Sequence, residues 1–176
     1  QLGFFGRVNY SFANKYLLEA NIRYDGTSKF PKDLRWRAFP SFSAGWILSE
    51  ESWMDWSKSI LSFFKVRGSW GMIGDQTVPN TLYTSFLPIG ESSWLDYSGQ
   101  KLTYTGIPSA IDANISWQDI TTLNLGLDTR FLDGELGLSF DWYQRDTKNM
   151  IVPSEVSYSF GQGAPKGNYG SLRSRG

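Results

Sequence analysis

The sequence predicts an all-β chain, an arc of about seven antiparallel strands from a larger transmembrane β-barrel. Three observations carry this expectation. Apolar and polar residues alternate over runs of about ten residues, beyond the ~5–6 of an ordinary globular strand and close to the ~9–11 that a tilted strand needs to cross a bilayer. Tight turns tend to alternate with long connections, which is the asymmetry of outer-membrane barrels. Aromatic residues of the apolar parity gather near strand ends with mainly aliphatic residues and Gly between them, as amphipathic rings do at the two membrane interfaces. A soluble sandwich also alternates, but its largest rings belong at mid-strand.

The first two strands, 3–12 and 16–25, place Phe4, Val8, Tyr10 and Phe12, then Tyr16, Leu18, Ala20, Ile22 and Tyr24, on one parity. Arg7, Asn9, Glu19, Asn21 and Arg23 take the other. With Asn14 at the centre of the Ala13-Asn14-Lys15 turn, Phe12 faces Tyr16 and Val8 faces Ala20. A loop rich in charge and turn residues, 25–35, leads to a third strand over 36–47 in which Pro40 is unsuited to a ladder and Phe39 falls on the polar parity. In the 49–62 connection, Ser49 before Glu50-Glu51 reads as an N-cap, and Trp53, Trp56 and Ile60 recur at helical spacing, so a short helix is expected.

Strand four covers 63–72 and is followed by a 73–116 loop with no long periodic pattern, a length usually reserved for function. Strands over 117–132 and 135–145 flank Asp133-Gly134, a hairpin signal whose register sets Phe131 opposite Leu136 and Leu127 opposite Phe140. A second long loop, 146–169, precedes a last strand over 170–176. If strand one runs downward, both long loops lie outside the cell and the tight turns lie in the periplasm, with 49–62 an unusually long periplasmic turn.

Composition removes several alternatives. Seventeen basic and seventeen acidic residues balance, so no basic footprint for nucleic acid exists. The chain has no Cys and no His, which excludes thiolate chemistry, His-dependent triads and the commonest zinc ligand. Apolar runs are too short for a membrane helix, a pattern that barrels share. The chain opens without a cleavable leader and reads as an interior piece of a longer polypeptide.

Several stretches carry a family likeness. KYLLEANIRYDGTSKF from Lys15, FPSFSAGW from Phe39, KVRGSWGMIGDQ from Lys65, LNLGLD from Leu123 and GSLRSRG from Gly170 resemble, in order, signature segments of the SusC/RagA-type TonB-dependent outer-membrane transporters of Bacteroidetes. The resemblance implies a 22-stranded barrel in the outer membrane that imports an oligosaccharide or peptide with a SusD-like lipoprotein as lid. It also implies an N-terminal plug and a TonB-contacting segment, neither within these residues, and no catalytic role, cofactor or metal.

Trp94, Tyr97, Tyr104 and Trp117, in and beside the first long loop, offer flat rings to a sugar or a lid protein, or pack the loop on itself. The turns at 25–28 and Asp75-Gln76 lack the calcium-loop pattern and read as Asx turns. Glu50-Glu51 reads as a pair of helix-dipole partners rather than a glycosidase acid pair. Two functions outside transport remain open at this point: a soluble carbohydrate-binding β-sandwich and a β-rich glycoside hydrolase.

Overall fold

The computed structural model describes residues 1–57, 60–78, 84–112 and 114–176. Among the described residues nine strands form: β1 (Leu2–Phe12), β2 (Tyr16–Gly26), β3 (Trp36–Ile47), β4 (Leu61–Asp75), β5 (Ile89–Leu95), β6 (Lys101–Thr105), β7 (Gln118–Phe131), β8 (Leu136–Pro153) and β9 (Lys166–Arg175). Seven of them make one antiparallel sheet in the order β1-β2-β3-β4-β7-β8-β9, and β5 with β6 make a separate hairpin.

The register follows from the turns. Ala13 and Asn14 take positive φ, and Phe12 pairs with Tyr16 and Val8 with Ala20. At the other tight turn Leu132, Asp133 and Gly134 are all at positive φ, and Leu127 pairs with Phe140. Hydrogen-bonded rows therefore run across the sheet with one character per face. Phe12, Tyr16, Trp46, Val66, Leu127 and Phe140 share one row, and Tyr10, Leu18, Ala44, Gly68, Leu125 and Trp142 the next. Rings stack across neighbouring strands, with Tyr16 6.1 Å from Trp46 and Phe42 6.1 Å from Trp70 as direct pairs and Tyr24 5.2 Å from Trp36 on a diagonal.

This apolar face is bare. Val8, Leu18, Phe42, Leu125 and Phe140 are each at least half exposed, at 69, 52, 54, 50 and 63 %. Among the described residues no second sheet packs on it. The buried apolar cluster lies elsewhere, where the loops leave the sheet: Phe30, Phe39, Val78, Ile115 and Trp117, with Leu34, Met72 and Ile151 against it.

Pro40 and Phe39 find their reason there. Pairing of β3 with β4 stops at Ser41–Gly71, beside the residue that cannot donate to a ladder. Beyond that point the two strands part, and Phe39 turns into the buried cluster. A side chain at Gly74 would collide with the Phe39 and Trp117 rings.

Several expectations need correction. The 49–62 helix does not form; 3-10 turns occupy Leu48–Glu50 and Ser52–Ser57, Lys58 and Ser59 lie outside the described residues, and Leu61 and Ser62 begin β4. Ser49 is buried and caps nothing, while Trp53, Trp56 and Ile60 are exposed rather than forming a packed stripe. The cause is Glu51, whose backbone is extended because its carboxylate is drawn to the turn-side rings: Tyr16 Oη donates to Oε1 at 2.8 Å, Trp46 Nε1 to Oε1 at 3.1 Å and Lys15 Nζ to Oε2 at 3.3 Å. It is a structural acceptor, neither a dipole partner nor half of an acid pair.

The other corrections concern length. β4 runs to Asp75 and β8 to Pro153, β9 begins at Lys166, and the 73–116 stretch contains the β5–β6 hairpin. That hairpin turns on Asp96, whose Oδ1 accepts from the backbone N–H of Ser98 and Gln100, with Gly99 at φ 79°.

The Glu51 anchor is pH-dependent. The Tyr16 hydroxyl first, and the Trp46 indole after it, hold its carboxyl below the ordinary carboxylate value. A depressed folded pKa stabilises fully above the unfolded value of about 4.3 and is lost as pH falls through the folded one. Acidification below about pH 4 is therefore expected to raise amide exchange in 48–57, corrected for its intrinsic pH dependence, and Glu51→Gln should remove that step. An identical acid response in the variant would sink the assignment.

Candidate functional site

Two regions gather polar chemistry: the face opposite the apolar one, and the end of the sheet where the loops emerge. On the polar face Arg67 bridges two carboxylates, with Nε 3.0 Å from Asp128 Oδ2 and Nη2 2.7 Å from Asp141 Oδ2. Gly126 makes room for it, since a Cβ there would sit 2.6 Å from the Arg67 Cζ. Across β1 and β2, Arg7 Nε donates to Asn21 Oδ1 at 2.7 Å, Asn21 Nδ2 donates to Glu19 Oε1 at 2.7 Å, and Arg23 pairs with Asp25 at 2.7 Å. These groups lie on the parity that the alternation assigns to the wet side. They are consecutive links of a charged wall in which each carboxylate accepts from an arginine or an asparagine; among the described residues no three acidic side chains converge as metal ligands would.

At the loop end the chain is clasped. Lys29 Nζ donates to the carbonyls of Gln76 at 3.2 Å and Val78 at 3.0 Å, tying the 27–35 loop to the exit of β4. Arg37 Nη2 lies 2.5 Å from Asp119 Oδ2, which also accepts from Asn149 Nδ2 at 2.8 Å, so one buried carboxylate links β3, β7 and β8. Asn168 holds Ser116 from both sides, accepting from its N–H at 2.8 Å and donating to its carbonyl at 3.0 Å; the same amide donates to the Asn149 carbonyl at 2.6 Å. Asn149 itself is at φ 57°, a conformation Asn tolerates. Asp75 forms the expected Asx turn, accepting from the Thr77 N–H at 2.8 Å.

The four sequence-derived aromatics separate here. Trp94, Tyr97 and Tyr104 are exposed on the β5–β6 hairpin. Trp117 is 1 % exposed, its ring 5.4 Å from both Phe30 and Phe39, and has no face left for a ligand. The clasp residues Lys29, Arg37, Asn149 and Asn168 were not legible as a set. Their partners lie 19 to 82 residues away in sequence, a separation that strand period and turn signals do not span.

A single sheet with one bare apolar face, a charged reverse face and loops clasped at one end defines a segment of barrel wall. The chain belongs to the TonB dependent receptor-like, beta-barrel family, whose profile matches residues 1–176. It is 35 % identical to TonB-dependent receptor SusC of Bacteroides thetaiotaomicron over 99 % of its own length and 18 % of that protein. It is 30 % identical to TonB-dependent receptor P3 of Formosa agariphila, covering 98 % of this chain and 17 % of that one. Among solved structures the RagAB peptide transporter superposes with a TM-score of 0.79 at 22 % identity, over 97 % of this chain and 18 % of that one. The siderophore receptor PirA from Pseudomonas aeruginosa does so at 0.60 and 17 % identity, over 99 % of this chain and 29 % of that one. These last two likenesses bear on the fold alone. The chain spans roughly a fifth of the length of the curated relatives it matches.

Proposed function

We propose that these residues form part of the lipid-facing wall and extracellular rim of an outer-membrane transporter that, as a whole protein, imports an oligosaccharide or peptide with TonB-derived energy and a SusD-like lipoprotein lid. The observation that carries the reading is the course of the two aromatic borders. The loop-side border passes from Phe4 on β1 to Trp142 on β8, which is level with Tyr10 by register, a descent of six residues over five strand steps. At about 3.4 Å per residue and ~4.8 Å per strand that is an inclination of about 40°. The turn-side border, from Phe12 to Phe131, drops four residues over four steps, about 35°. Strands of outer-membrane barrels tilt by ~35–45°, a tilt that would bring both borders level with a membrane plane.

In this reading the Arg67 and Arg7 networks line the lumen, and Trp94, Tyr97 and Tyr104 on the projecting hairpin meet substrate or lid. The 35 % identity to TonB-dependent receptor SusC supports the reading of TonB-dependent import. The full-length protein in detergent extracts should migrate faster in SDS gels unboiled than boiled, and Trp94→Ala should lower uptake or lid binding without altering that shift. A soluble protein with no heat-dependent shift would overturn the reading.

A further inference from the structure

The ladder between β8 and β9 slips and recovers within a few residues. Thr147 pairs with Leu172 and Ile151 with Asn168, so the register is the same on both sides of the interval. Between them Met150 pairs with Gly170, which puts one extra residue on β8 before that pair and one extra on β9 after it. The two bulges cancel. Counting from Thr147–Leu172, an unbroken ladder would set Asn149 opposite Gly170 and Met150 opposite Tyr169 and rejoin the observed register at Ile151–Asn168, with neither strand displaced along its neighbour.

The bulged form is held by contacts outside the ladder. Asn149, at φ 57°, donates its amide to Asp119 Oδ2 at 2.8 Å. Asn168 accepts from the Ser116 N–H and donates to the carbonyls of Ser116 and Asn149. Tyr169 Oη donates to Asp112 Oδ2 at 2.8 Å across Gly167, where a Cβ would lie 2.5 Å from that oxygen. A Cβ at Gly170 would lie 2.9 Å from the Met150 Cβ, so the single pair between the bulges closes tightly on a glycine. Positive φ at a non-glycine residue and an interrupted ladder oppose this form, and the bonds to Asp112, Ser116 and Asp119 offset them. Asp112 and Ser116 lie where the long loop returns to the sheet, and Asp119 is the second residue of β7. The same two strands close the second loop, where the Ser154 N–H donates to the Pro165 carbonyl at 2.8 Å.

We propose that the paired bulges around Asn149 and Tyr169 are a two-state catch: bulged, β8 and β9 clamp the returning leg of the long loop, and with the ladder unbroken they release it. The proposal rests on the register and its side-chain clasp, not on the membrane reading. Hydrogen exchange of the full-length protein in detergent, read by mass spectrometry, tests it. Asn168→Ala removes three clasp bonds and no ladder bond, because the ladder is backbone. At about fivefold per bond, exchange at 114–117 should rise roughly a hundredfold, while exchange at 148–150 and 169–171 falls by about fivefold or more as the ladder closes. Asn149→Val, β-branched and unsuited to positive φ, should give the same opposed changes. Asn149→Gly, free to keep positive φ, should leave the ladder segments as in wild type. Exchange that rises at the leg and the ladder together, or at the leg alone, in Asn168→Ala marks the clasp as static and overturns the catch. Heat-dependent gel migration is run on the same samples. If Asn149→Val loses it, Asn168→Ala, which adds no bulk, decides alone; if wild type lacks it, the barrel reading fails and the exchange result still stands.

Discussion

Arginine in place of Ala20 is expected to lower the stability of the full-length barrel by about 2–4 kcal/mol, whereas arginine at the next residue, Asn21, should change it by less than about 1 kcal/mol. Ala20 pairs with Val8 on one side and Phe42 on the other, on the apolar face and midway between Tyr16 and Tyr24. Each of those rings is four residues away, about 14 Å along the strand, so a guanidinium at Ala20 has a long way to reach water at either border. Asn21 lies on the charged face, bonded to Arg7 and Glu19. A cation there loses two solvent-screened hydrogen bonds and keeps Glu19 as a partner. Urea unfolding of the protein in lipid vesicles, followed by tryptophan fluorescence, measures the difference. Equal losses at the two positions would mean the faces have been assigned wrongly.

That contrast was legible from the sequence because it depends only on period and turn. Once Asn14 and the Asp133-Gly134 pair are placed at turn centres, the pairs Val8–Ala20 and Leu127–Phe140 follow by counting, and each carries a whole row with it. Counting fails where the chain leaves the sheet. The Trp53, Trp56 and Ile60 spacing suggested a helix, but spacing does not reveal that Glu51 is held in extended backbone by donors on β2 and β3. The β5–β6 hairpin escaped because its strands are short and its pairing shifts between Glu91 and Leu95. Phe39 looked like a flaw in the polar parity. It is a core residue, recognisable only once β3 and β4 are known to separate past Ser41 and Gly71.

Truncating Trp117 to alanine is expected to remove about 3–5 kcal/mol from the rim cluster while leaving the barrel closed. Its ring is enclosed by Phe30 and Phe39, and nothing in the clasp hydrogen bonds can fill the space it vacates. The loss is local because the wall is held by strand ladders far from the cluster, whereas the long loop is fixed at its base by Trp117, by Ser116 on Asn168 and by Lys29 on the carbonyls of Gln76 and Val78. Limited proteolysis of the full-length protein should then cut between Gln76 and Trp117 at lower protease concentration, and the heat-dependent gel shift should persist. Uptake should fall as well, because the hairpin that presents Trp94, Tyr97 and Tyr104 projects from that base, and a loosened base spreads those rings over many positions. If the variant loses its heat shift, the cluster supports the barrel itself. If its protease pattern is unchanged, Trp117 is not the residue that seats the loop.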